Sequence, residues 1–528
     1  MKEILSLNNN WKKWILTLLA ILYGVIHFIY LDKYPILYGD ESLYNEPCIN
    51  FITDKKFSSM LYYPKPVGGF YKSNLIHGRI WNFAQVAIFK LTTPTSKTIR
   101  LISFLSGIGL LLLLFIITHK LFKNFSLALF TIIFLAFSHL FIFAFHFSRP
   151  DIMVCFFILS SFLLLIKACE DQSALLCFLC GLTASLTIDV HPSGNVAIFL
   201  ITSAALYSWF KKKITFLNIL LIGLGIISGI IYWYSIHVWM DTQLFNEQYP
   251  FIKSGHRGFF NRSIFTLISD EMWRWYSFFW QGAFHRNMFI LFLLLAGMIQ
   301  FIRRYKFFEF GLILSALIGA GVGYMLGPSK ATWYIIYIYP FFSILLIYFI
   351  YEKFISNSLF QKRIAIGLTV LLTLFLAIEN YEKLKFYKSN YTQYINKLTA
   401  ILPQGTKVLA SDHCWLGLKD STEYVPNHIM GHWFIIKKNP PIPEYYQGDY
   451  ESFFLRQKIE FIVADEEMLS WPYQTDMLKP LLDKHYDLIQ EIQDDFYGSS
   501  LYLSKKSPRP LVTKIYKIKK HKFLNDER

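Results

Sequence analysis

The sequence predicts an α-helical polytopic membrane protein with about eleven transmembrane helices, followed by a C-terminal soluble α/β domain. Hydrophobic residues make up 54% of the 528 residues and charged residues only 17%, which is more apolar surface than one soluble core of this length buries. The apolar residues are gathered in runs of about 20, the length that a helix needs to cross a bilayer. Basic residues fall in alternate loops between these runs, as they do in polytopic membrane proteins.

Each predicted span is an apolar run between more polar segments. The spans are 12–31, 98–119, 125–145, 150–168, 173–190, 194–210, 214–238, 286–302, 307–327, 331–351 and 362–380. Lys12 and Lys13 precede the first run, and no small-residue cleavage site follows it. We therefore interpret this run as a signal anchor that stays in the protein.

The loop charges predict the orientation of the chain. The basic loop residues are Lys12, Lys13, Lys120, Lys123, Lys167, Lys211, Lys212, Lys213, Arg303, Arg304, Lys306, Lys353, Lys362 and Arg363. If the spans alternate, all of them lie on one side, which the positive-inside rule identifies as the cytoplasm. The N-terminus is then cytoplasmic, and the loop 32–97 faces outside. The chain divides into a membrane domain, 1–380, and an extracytoplasmic domain, 381–528.

The net charge of +16 requires no nucleic acid as a partner, because the cytoplasmic loops and a basic tail account for it. Eight basic residues crowd between Lys505 and Lys522. Two interpretations of this tail stay open: a solvated, partly disordered end, or a segment attracted to anionic lipid heads or to an anionic acceptor.

The C-terminal domain shows a weaker pattern of strands and helices. Thr406–Ser411 and Ile459–Ala464 are short apolar runs typical of buried strands, and Ser499–Leu503 is a third candidate. The segment 474–484 has a helical pattern. These elements predict a small α/β domain.

The first outer loop, 32–97, is too long to be a simple turn. Between Leu75 and Leu91 its apolar residues recur at helical spacing, which favours a helix lying in the membrane interface. Such a helix can shape the entrance to a cavity between protein and lipid, or it can be structural support alone.

Acidic residues stand just outside two of the spans on the predicted outer face. Asp40 and Glu41 follow the first span, and Asp151 opens the fourth, directly after Arg149 and Pro150. A carboxylate at a membrane boundary is costly to desolvate, so its presence favours a functional role. Together these residues predict an acid–base site that faces a lipid-borne substrate.

Several short motifs resemble a known group of enzymes. They are Asp40-Glu41-Ser42-Leu43-Tyr44, Lys65-Pro66 with Phe70-Tyr71, Arg149-Pro150-Asp151, Asp189-Val190-His191-Pro192, and Lys330 with Tyr334 and Pro340. In order, spacing and shared outer face they resemble membrane glycosyltransferases of the GT-C fold, in the bacterial branch related to protein O-mannosyltransferases and lipid A aminoarabinose transferases. The resemblance covers most of the chain. One departure is that a single Pro follows Lys65, where relatives often have two.

The resemblance implies an enzyme of the bacterial inner membrane. Its donor is a polyprenyl phosphate-linked sugar, and its acceptor is a lipid, glycan or protein. An acceptor hydroxyl is a weak nucleophile, so a carboxylate must take its proton while the anomeric carbon inverts in one displacement. The lipid phosphate leaves with negative charge, which calls for Lys or Arg beside it.

Each candidate residue has a functional and a structural interpretation. Asp40 matches the family's base, although a loop carboxylate or helix cap has the same appearance. Glu41 either assists catalysis or only solvates the loop, and Asp151 is catalytic or a helix cap.

The candidate ligands of the phosphate are Lys65, Lys330 and Arg149. The alternative for the two lysines is snorkelling at the interface, and Arg149 can instead pair with Asp151. His191 and Tyr334 are further candidates for substrate contact, with a structural histidine and an aromatic-belt tyrosine as the alternatives.

A divalent metal ion held by Asp40, Glu41 and Asp151 is an open question, since carboxylate oxygens suit such an ion. Two rival functions also stay open. A transporter of a lipid-linked sugar needs several spans and a basic groove, but the sequence shows no internal repeat. A non-catalytic membrane scaffold has no need for acidic residues gathered at one face.

Overall fold

The computed structural model describes residues 9–61, 67–255, 263–281, 288–327, 331–355, 390–427, 447–465, 472–494 and 511–519, together with single positions between these ranges. The helices of its membrane part are α1 (Asn9–Ile29), α2 (Gly39–Asp54), α3 (Arg79–Leu91), α4 (Leu101–Phe122), α5 (Phe125–Ala136), α6 (His139–His146), α7 (Asp151–Asp171), α8 (Ala174–Val190), α9 (Val196–Phe210), α10 (Phe216–Tyr234), α11 (Thr242–Gly255), α12 (Ile264–Tyr276), α13 (Met288–Arg303), α14 (Phe308–Leu326) and α15 (Tyr339–Ile355).

Among the described residues, five helices are long and apolar enough to cross a membrane alone. They are Thr98–Phe122, Asp151–Asp171, Pro192–Phe210, Phe216–Trp239 and Phe308–Leu326. Helices α5 and α6 make a sixth span if they are taken together, although they meet at a bend of 67°. Shorter apolar helices are Ala20–Ile29, Ala174–Val190, Ile290–Arg303 and Tyr339–Glu352. Helices thus occupy the first ten predicted spans, and the eleventh, 362–380, lies largely outside the described residues.

Small residues allow a close contact between helices α8 and α10. A Cβ atom at Gly225 would lie 2.2 Å from the carbonyl oxygen of Phe178, and one at Gly181 would lie 2.0 Å from that of Ile222. The two backbones therefore touch, as small residues permit in membrane helices. This contact fixes α8, whose C-terminal end carries Asp189 and leads to His191.

The first outer loop folds into two helices. Helix α2 begins at Gly39, where Tyr38 and Glu41 form a capping box, so that Asp40 and Glu41 occupy its first turn. Helix α3 confirms the predicted helix in this loop, beginning at Arg79 rather than near residue 75. On one face of this helix, Trp81, Asn82 and Gln85 are buried.

The C-terminal domain has a five-stranded mixed sheet with strand order β2-β1-β3-β5-β4. Its elements are α16 (Tyr391–Thr399), β1 (Lys407–Ala410), α17 (Trp415–Leu418), β2 (Glu423–Pro426), α18 (Tyr450–Arg456), β3 (Phe461–Ala464), α19 (Pro472–His485), β4 (Tyr486–Asp494) and β5 (Leu511–Ile518). Strand β1 pairs in parallel with β2 and β3, and β5 pairs antiparallel with β3 and β4. The α/β prediction is therefore confirmed.

One interpretation from the sequence needs correction, and two other details lie outside the described residues. Of the two interpretations of the basic tail, the solvated and partly disordered end is wrong for Leu511–Ile518, which form a strand between β3 and β4 with Thr513 and Ile515 buried. The candidate strand Ser499–Leu503 and the predicted boundary near residue 381 lie outside the described residues.

The outer loop and the C-terminal domain share one apolar cluster. From the loop it contains Leu43, Cys48, Ile49 and Phe57, and from the domain it contains residues of α16, β1 and α17. Helix α2 thus has one end at the candidate site and its flank against the domain.

Candidate active site

The acidic residues after the first span and before the fourth meet at one guanidinium group. Arg149 donates through Nη1 to the Asp40 carboxylate, and its Nε lies 2.9 Å from Asp151 Oδ2. The side chain of Asp40 is 31% exposed, whereas those of Arg149 and Asp151 are 5% and 8% exposed. The structure therefore brings Asp40 and Asp151 together, with Asp40 as the carboxylate that solvent reaches.

Aromatic residues enclose this network. Arg149 Nη2 donates to the Tyr334 hydroxyl at 3.3 Å, and its guanidinium lies 5.1 Å from the ring centroid of Trp333. The Tyr337 hydroxyl donates to Asp151 Oδ1 at 3.0 Å. These three aromatic residues come from one 3-10 turn, Thr332–Tyr337, so a single segment closes the inner side of the network.

Tyr44 connects the network to His191. Its hydroxyl lies 3.1 Å from His191 Nε2, while His191 Nδ1 accepts the backbone N–H of Ser193 at 3.1 Å. A neutral His191 then carries its proton on Nε2 and donates it to Tyr44. The ring of His191 also lies 5.5 Å from that of Tyr334, so the structure places both predicted contact residues beside Arg149.

Burial sets the charge states around Tyr44. Burial lowers the pKa of His77 to about 3, and the charges of His191 and Arg149 act in the same direction, so His77 is neutral where it stacks on Tyr44. Burial raises the pKa of the Tyr44 hydroxyl well above its usual range. Burial alone would lower the pKa of Arg149, but Asp151 and Asp40 beside it raise that pKa above its ordinary value.

Glu41 lies in a separate ion pair directly behind the network. Arg100 binds it with two parallel bonds, of 2.8 and 2.7 Å, and both side chains are fully buried. Glu41 Oε1 also accepts the backbone N–H of Ser148 at 2.8 Å. This carboxylate therefore holds the residue that precedes Arg149.

A chain of amides and hydroxyls supports the same segment from the other side. Asn45 donates to the Ser148 hydroxyl at 2.7 Å, and Gln85 of α3 donates to the Asn45 side-chain oxygen at 2.7 Å. Ser148 donates in turn to the carbonyl oxygen of Ile99 at 2.5 Å. Helices α2, α3 and α4 thus position the loop that carries Arg149.

Asp189, which begins the motif that contains His191, makes structural contacts to two other segments. Its carboxylate accepts the N–H groups of Arg79 and Ile80, at 3.3 and 2.7 Å, at the first turn of α3. It also pairs with His237 Nε2 at 2.6 Å. This carboxylate fixes the start of α3 onto the outer end of α8.

Sequence reasoning missed two buried arginines near the site, Arg100 and Arg274, and the buried His237 that pairs with Asp189. Arg274 on α12 pairs with Glu271 at 3.0 Å and stacks 4.7 Å from the ring of Tyr324. The Tyr324 hydroxyl donates to the carbonyl oxygen of Tyr334 at 2.5 Å, so Arg274 lies one tyrosine away from the network. The available signal was an arginine between the seventh and eighth predicted spans, on the side that the positive-inside rule predicts to be poor in basic residues.

Two of the predicted phosphate ligands, Lys65 and Lys330, lie outside the described residues. For the metal question, the described carboxylates of Asp40, Glu41 and Asp151 do not form a group whose oxygens all lie within 4.8 Å of one another. Each of the three has a guanidinium partner instead. The metal at this site stays a prediction.

Comparison with known sequences finds one family and no curated relative. Residues 77–233 match the family model described as dolichyl-phosphate-mannose-protein mannosyltransferase. No protein in the curated set matches the chain.

Comparison with solved structures finds the same fold in ArnT from Cupriavidus metallidurans. The crystal structure of ArnT in the apo state matches with a TM-score of 0.58 and 13% identity, over 96% of this chain and 98% of that one. The structure of ArnT bound to undecaprenyl phosphate matches with a TM-score of 0.55 and 12% identity, over 95% and 98%. The matched family segment and the shared architecture identify the chain as a polytopic membrane protein with the GT-C fold of the membrane glycosyltransferases.

Proposed function

We propose that the protein is a glycosyltransferase that moves a sugar from a polyprenyl phosphate carrier to an acceptor hydroxyl, or similar group, at the outer face of the inner membrane. The observation that carries the proposal is the Asp40–Arg149–Asp151 network with its one exposed carboxylate. Support also comes from the mannosyltransferase family match and from ArnT, which was crystallised with undecaprenyl phosphate.

The reaction is a single displacement with inversion. The acceptor oxygen forms a bond to the anomeric carbon, the bond from that carbon to the phosphate oxygen breaks, and the lipid phosphate leaves with the electron pair. Asp40 takes the acceptor proton, because it is the carboxylate of the network that a substrate reaches. The guanidinium beside it fixes the position of this carboxylate before the acceptor arrives.

Asp151 and Glu41 act through Arg149 rather than on the sugar. Asp151 is buried between Arg149 and Tyr337, and Glu41 is buried against Arg100. We therefore assign both as positioning residues: Asp151 orients the guanidinium, and Glu41 holds the backbone of Ser148.

Arg149, Lys65 and Lys330 supply positive charge for the leaving phosphate. Arg274 is a fourth candidate, because it stacks on Tyr324, which hydrogen-bonds to Tyr334 of the network. His191 and Tyr334 line the same space and contact the substrate. Charge develops on the phosphate as the bond breaks, so these cations contribute more in the transition state than in the ground state.

The test of the base is Asp40→Asn. The amide keeps the size of the side chain but cannot accept a proton, so transfer falls by about 10²-fold or more while donor binding stays. The measurement is transfer from a polyprenyl phosphate sugar in nanodiscs, with donor affinity measured separately. Asp54→Asn, at the other end of the same helix, is the matched control. Near-normal transfer by a folded Asp40→Asn protein would rule out Asp40 as the base.

The test of the phosphate ligands is donor-dependent kinetics of Lys65→Ala, Lys330→Ala and Lys65→Arg. Both alanine variants raise KM for the donor and lower kcat, and the arginine variant keeps part of the activity because it keeps the charge. Wild-type constants in both alanine variants would assign the phosphate to Arg149 and Arg274 alone.

The sugar and the acceptor class are identified from the product. Mass spectrometry of envelope glycolipids and glycoproteins, with and without the gene, shows which molecule loses a sugar. A cytoplasmic N-terminus and an outer C-terminal domain are tested by labelling single cysteines introduced at Asn9 and Glu423 with an impermeant reagent in intact cells.

A further inference from the structure

The C-terminal domain holds a cluster of His413, Cys414 and Asp465 that the proposed reaction does not use. One candidate ligand atom from each residue lies within 4.8 Å of the other two, and among the described residues this is the single such group of three. All three residues are buried, at 2%, 0% and 0% exposure. We propose that this cluster binds a zinc ion that fixes the C-terminal domain against helix α2.

The sheet brings the three residues together. The turn Asp412–Cys414 follows β1, and Asp465 directly follows β3. Strands β1 and β3 are parallel neighbours, with Ala410 opposite Val463, so their carboxyl ends meet at one edge. Such an edge is where parallel sheets gather ligand-binding side chains.

The distances suit tetrahedral coordination better than a hydrogen bond. His413 Nε2 and Asp465 Oδ2 lie 3.4 Å apart, which is long for an N–H···O bond. Ligand atoms of a tetrahedral zinc site, with metal–ligand bonds of about 2.0–2.3 Å, lie roughly 3.3–3.8 Å from one another. Nitrogen, thiolate sulfur and carboxylate oxygen are the ligand types that zinc takes, and a water or a further oxygen supplies the fourth.

The other oxygen of Asp465 is already oriented by its neighbours. Oδ1 accepts the Ser411 hydroxyl at 2.7 Å and the backbone N–H of Met468 at 2.8 Å. Oδ2 is therefore directed at His413. Residues that hydrogen-bond to a metal-binding carboxylate, as Ser411 and Met468 do here, commonly orient it in this way. A ligand carboxylate whose orientation is fixed in advance loses little entropy when it binds the ion.

The burial of this cluster favours a zinc site over a catalytic triad, which can have the same residue types. A Cys–His–Asp nucleophile must be reached by its substrate, and no residue of this cluster is more than 2% exposed. A divalent cation at this position would add positive charge beside the buried carboxylate, which His413 Nε2 approaches at 3.4 Å.

The site lies next to the helix that begins at the catalytic network. The turn Asp412–Cys414, which carries two of the ligands, contacts α2. Cys414 belongs to the apolar cluster that also contains Cys48 and Ile49 of α2. An ion at this position therefore stiffens the contact that supports the first turn of α2, where Asp40 lies.

The first test is metal analysis of wild-type protein purified without chelator. We expect about one zinc per chain. Exchange to Co²⁺ should give the intense visible bands of a tetrahedral site and a thiolate charge-transfer band in the near ultraviolet. Removing zinc with a chelator should lower Tm. Wild-type protein that holds no zinc, and that gives no thiolate band with Co²⁺, would overturn the proposal without the use of any variant.

The second test locates the ion. Cys414→Ser should remove the charge-transfer band, and Asp465→Asn should lower zinc affinity by about 100-fold or more. His485→Gln is the matched control, since His485 is a buried histidine of the same domain paired with Glu451, outside the cluster. Zinc retained by both ligand variants, or lost equally from the control, would place the ion elsewhere and sink the assignment.

Discussion

Arginine side chains define the charged groups of the site at the scale of single residues. Arg149 joins Asp40 to Asp151, and Arg100 binds Glu41 with two parallel bonds. A buried ion pair adds little net stability, but the loss of one partner leaves an uncompensated charge and costs about 3–5 kcal/mol. Such pairs therefore fix geometry, which a site that must orient a base requires.

His77 provides a pH test at the residue scale. Its pKa of about 3 in the folded protein lies below the value of 6.5 for an unperturbed histidine. Between pH 6.5 and pH 3, His77 is therefore protonated in the unfolded chain and neutral in the folded protein. The free energy of unfolding decreases as the pH falls through this range. Between pH 6.5 and 5 the loss is about 2 kcal/mol.

The measurement is Tm from pH 7 to pH 5 for wild type and His77→Phe, which keeps the stacking on Tyr44 but does not titrate. The variant should lose less stability on acidification. His119→Phe, at an exposed histidine of α4, should follow the wild type. Parallel curves for His77→Phe and wild type would show that His77 titrates normally.

At the scale of elements, the position of α3 depends on a carboxylate from another helix. Asp189 accepts the first N–H groups of α3 and pairs with His237. There is no room for adjustment at this contact, because a Cβ atom at Gly78 would lie 1.2 Å from the Asp189 carbonyl oxygen. Gln85 of α3 donates a hydrogen bond to Asn45, which in turn contacts the loop of Arg149, so the position of α3 affects that loop.

Asp189→Ala should therefore destabilise the protein by about 3 kcal/mol and loosen α3. Hydrogen exchange of a peptide covering residues 75–91 should rise, and transfer activity should fall because Gln85 moves. Asp171→Ala, at an exposed carboxylate at the C-terminal end of α7, should change neither property. Unchanged exchange in Asp189→Ala would show that α3 is held by packing alone.

The elements differ in how well the sequence predicted them. The spans and α3 were predictable because their apolar residues recur at the period of a buried or amphipathic helix. Strand β5 was missed because its alternation, with Thr513 and Ile515 inward, lies in a lysine-rich tail whose charge suggested a solvated end. The bend between α5 and α6 has no proline, and hydropathy alone gave one straight span.

At the scale of the whole molecule, the C-terminal domain and the outer loop form one packing unit. Ile49 of α2 is buried in the cluster that also contains Tyr394 and Trp415 of the domain. Ile49→Ala should cost about 2–4 kcal/mol and raise hydrogen exchange in α16 as well as in α2. Leu488→Ala, at a side chain 46% exposed on β4, is the control that should leave both unchanged. Faster exchange in α2 alone would show that the two parts unfold independently.

The sequence predicted which residues meet at the site better than how they meet. Topology alone placed Asp40 and Asp151 on one face, so their proximity could be predicted. The bridge by Arg149, the pairing of Arg100 with Glu41 and the position of Arg274 depend on side chains far apart in the chain, and local periodicity carries no information about them.

The bridge by Arg149 has a consequence for the timing of the reaction. Before a donor binds, the Arg149 guanidinium is paired with the Asp40 carboxylate. A water molecule that reaches the site therefore finds this carboxylate in an ion pair rather than free to take a proton. A donor phosphate that binds Arg149 competes with Asp40 for the same cation and frees that carboxylate only when a sugar is in place. In such an arrangement the lipid donor unlocks the base, so proton abstraction begins only after the donor is bound.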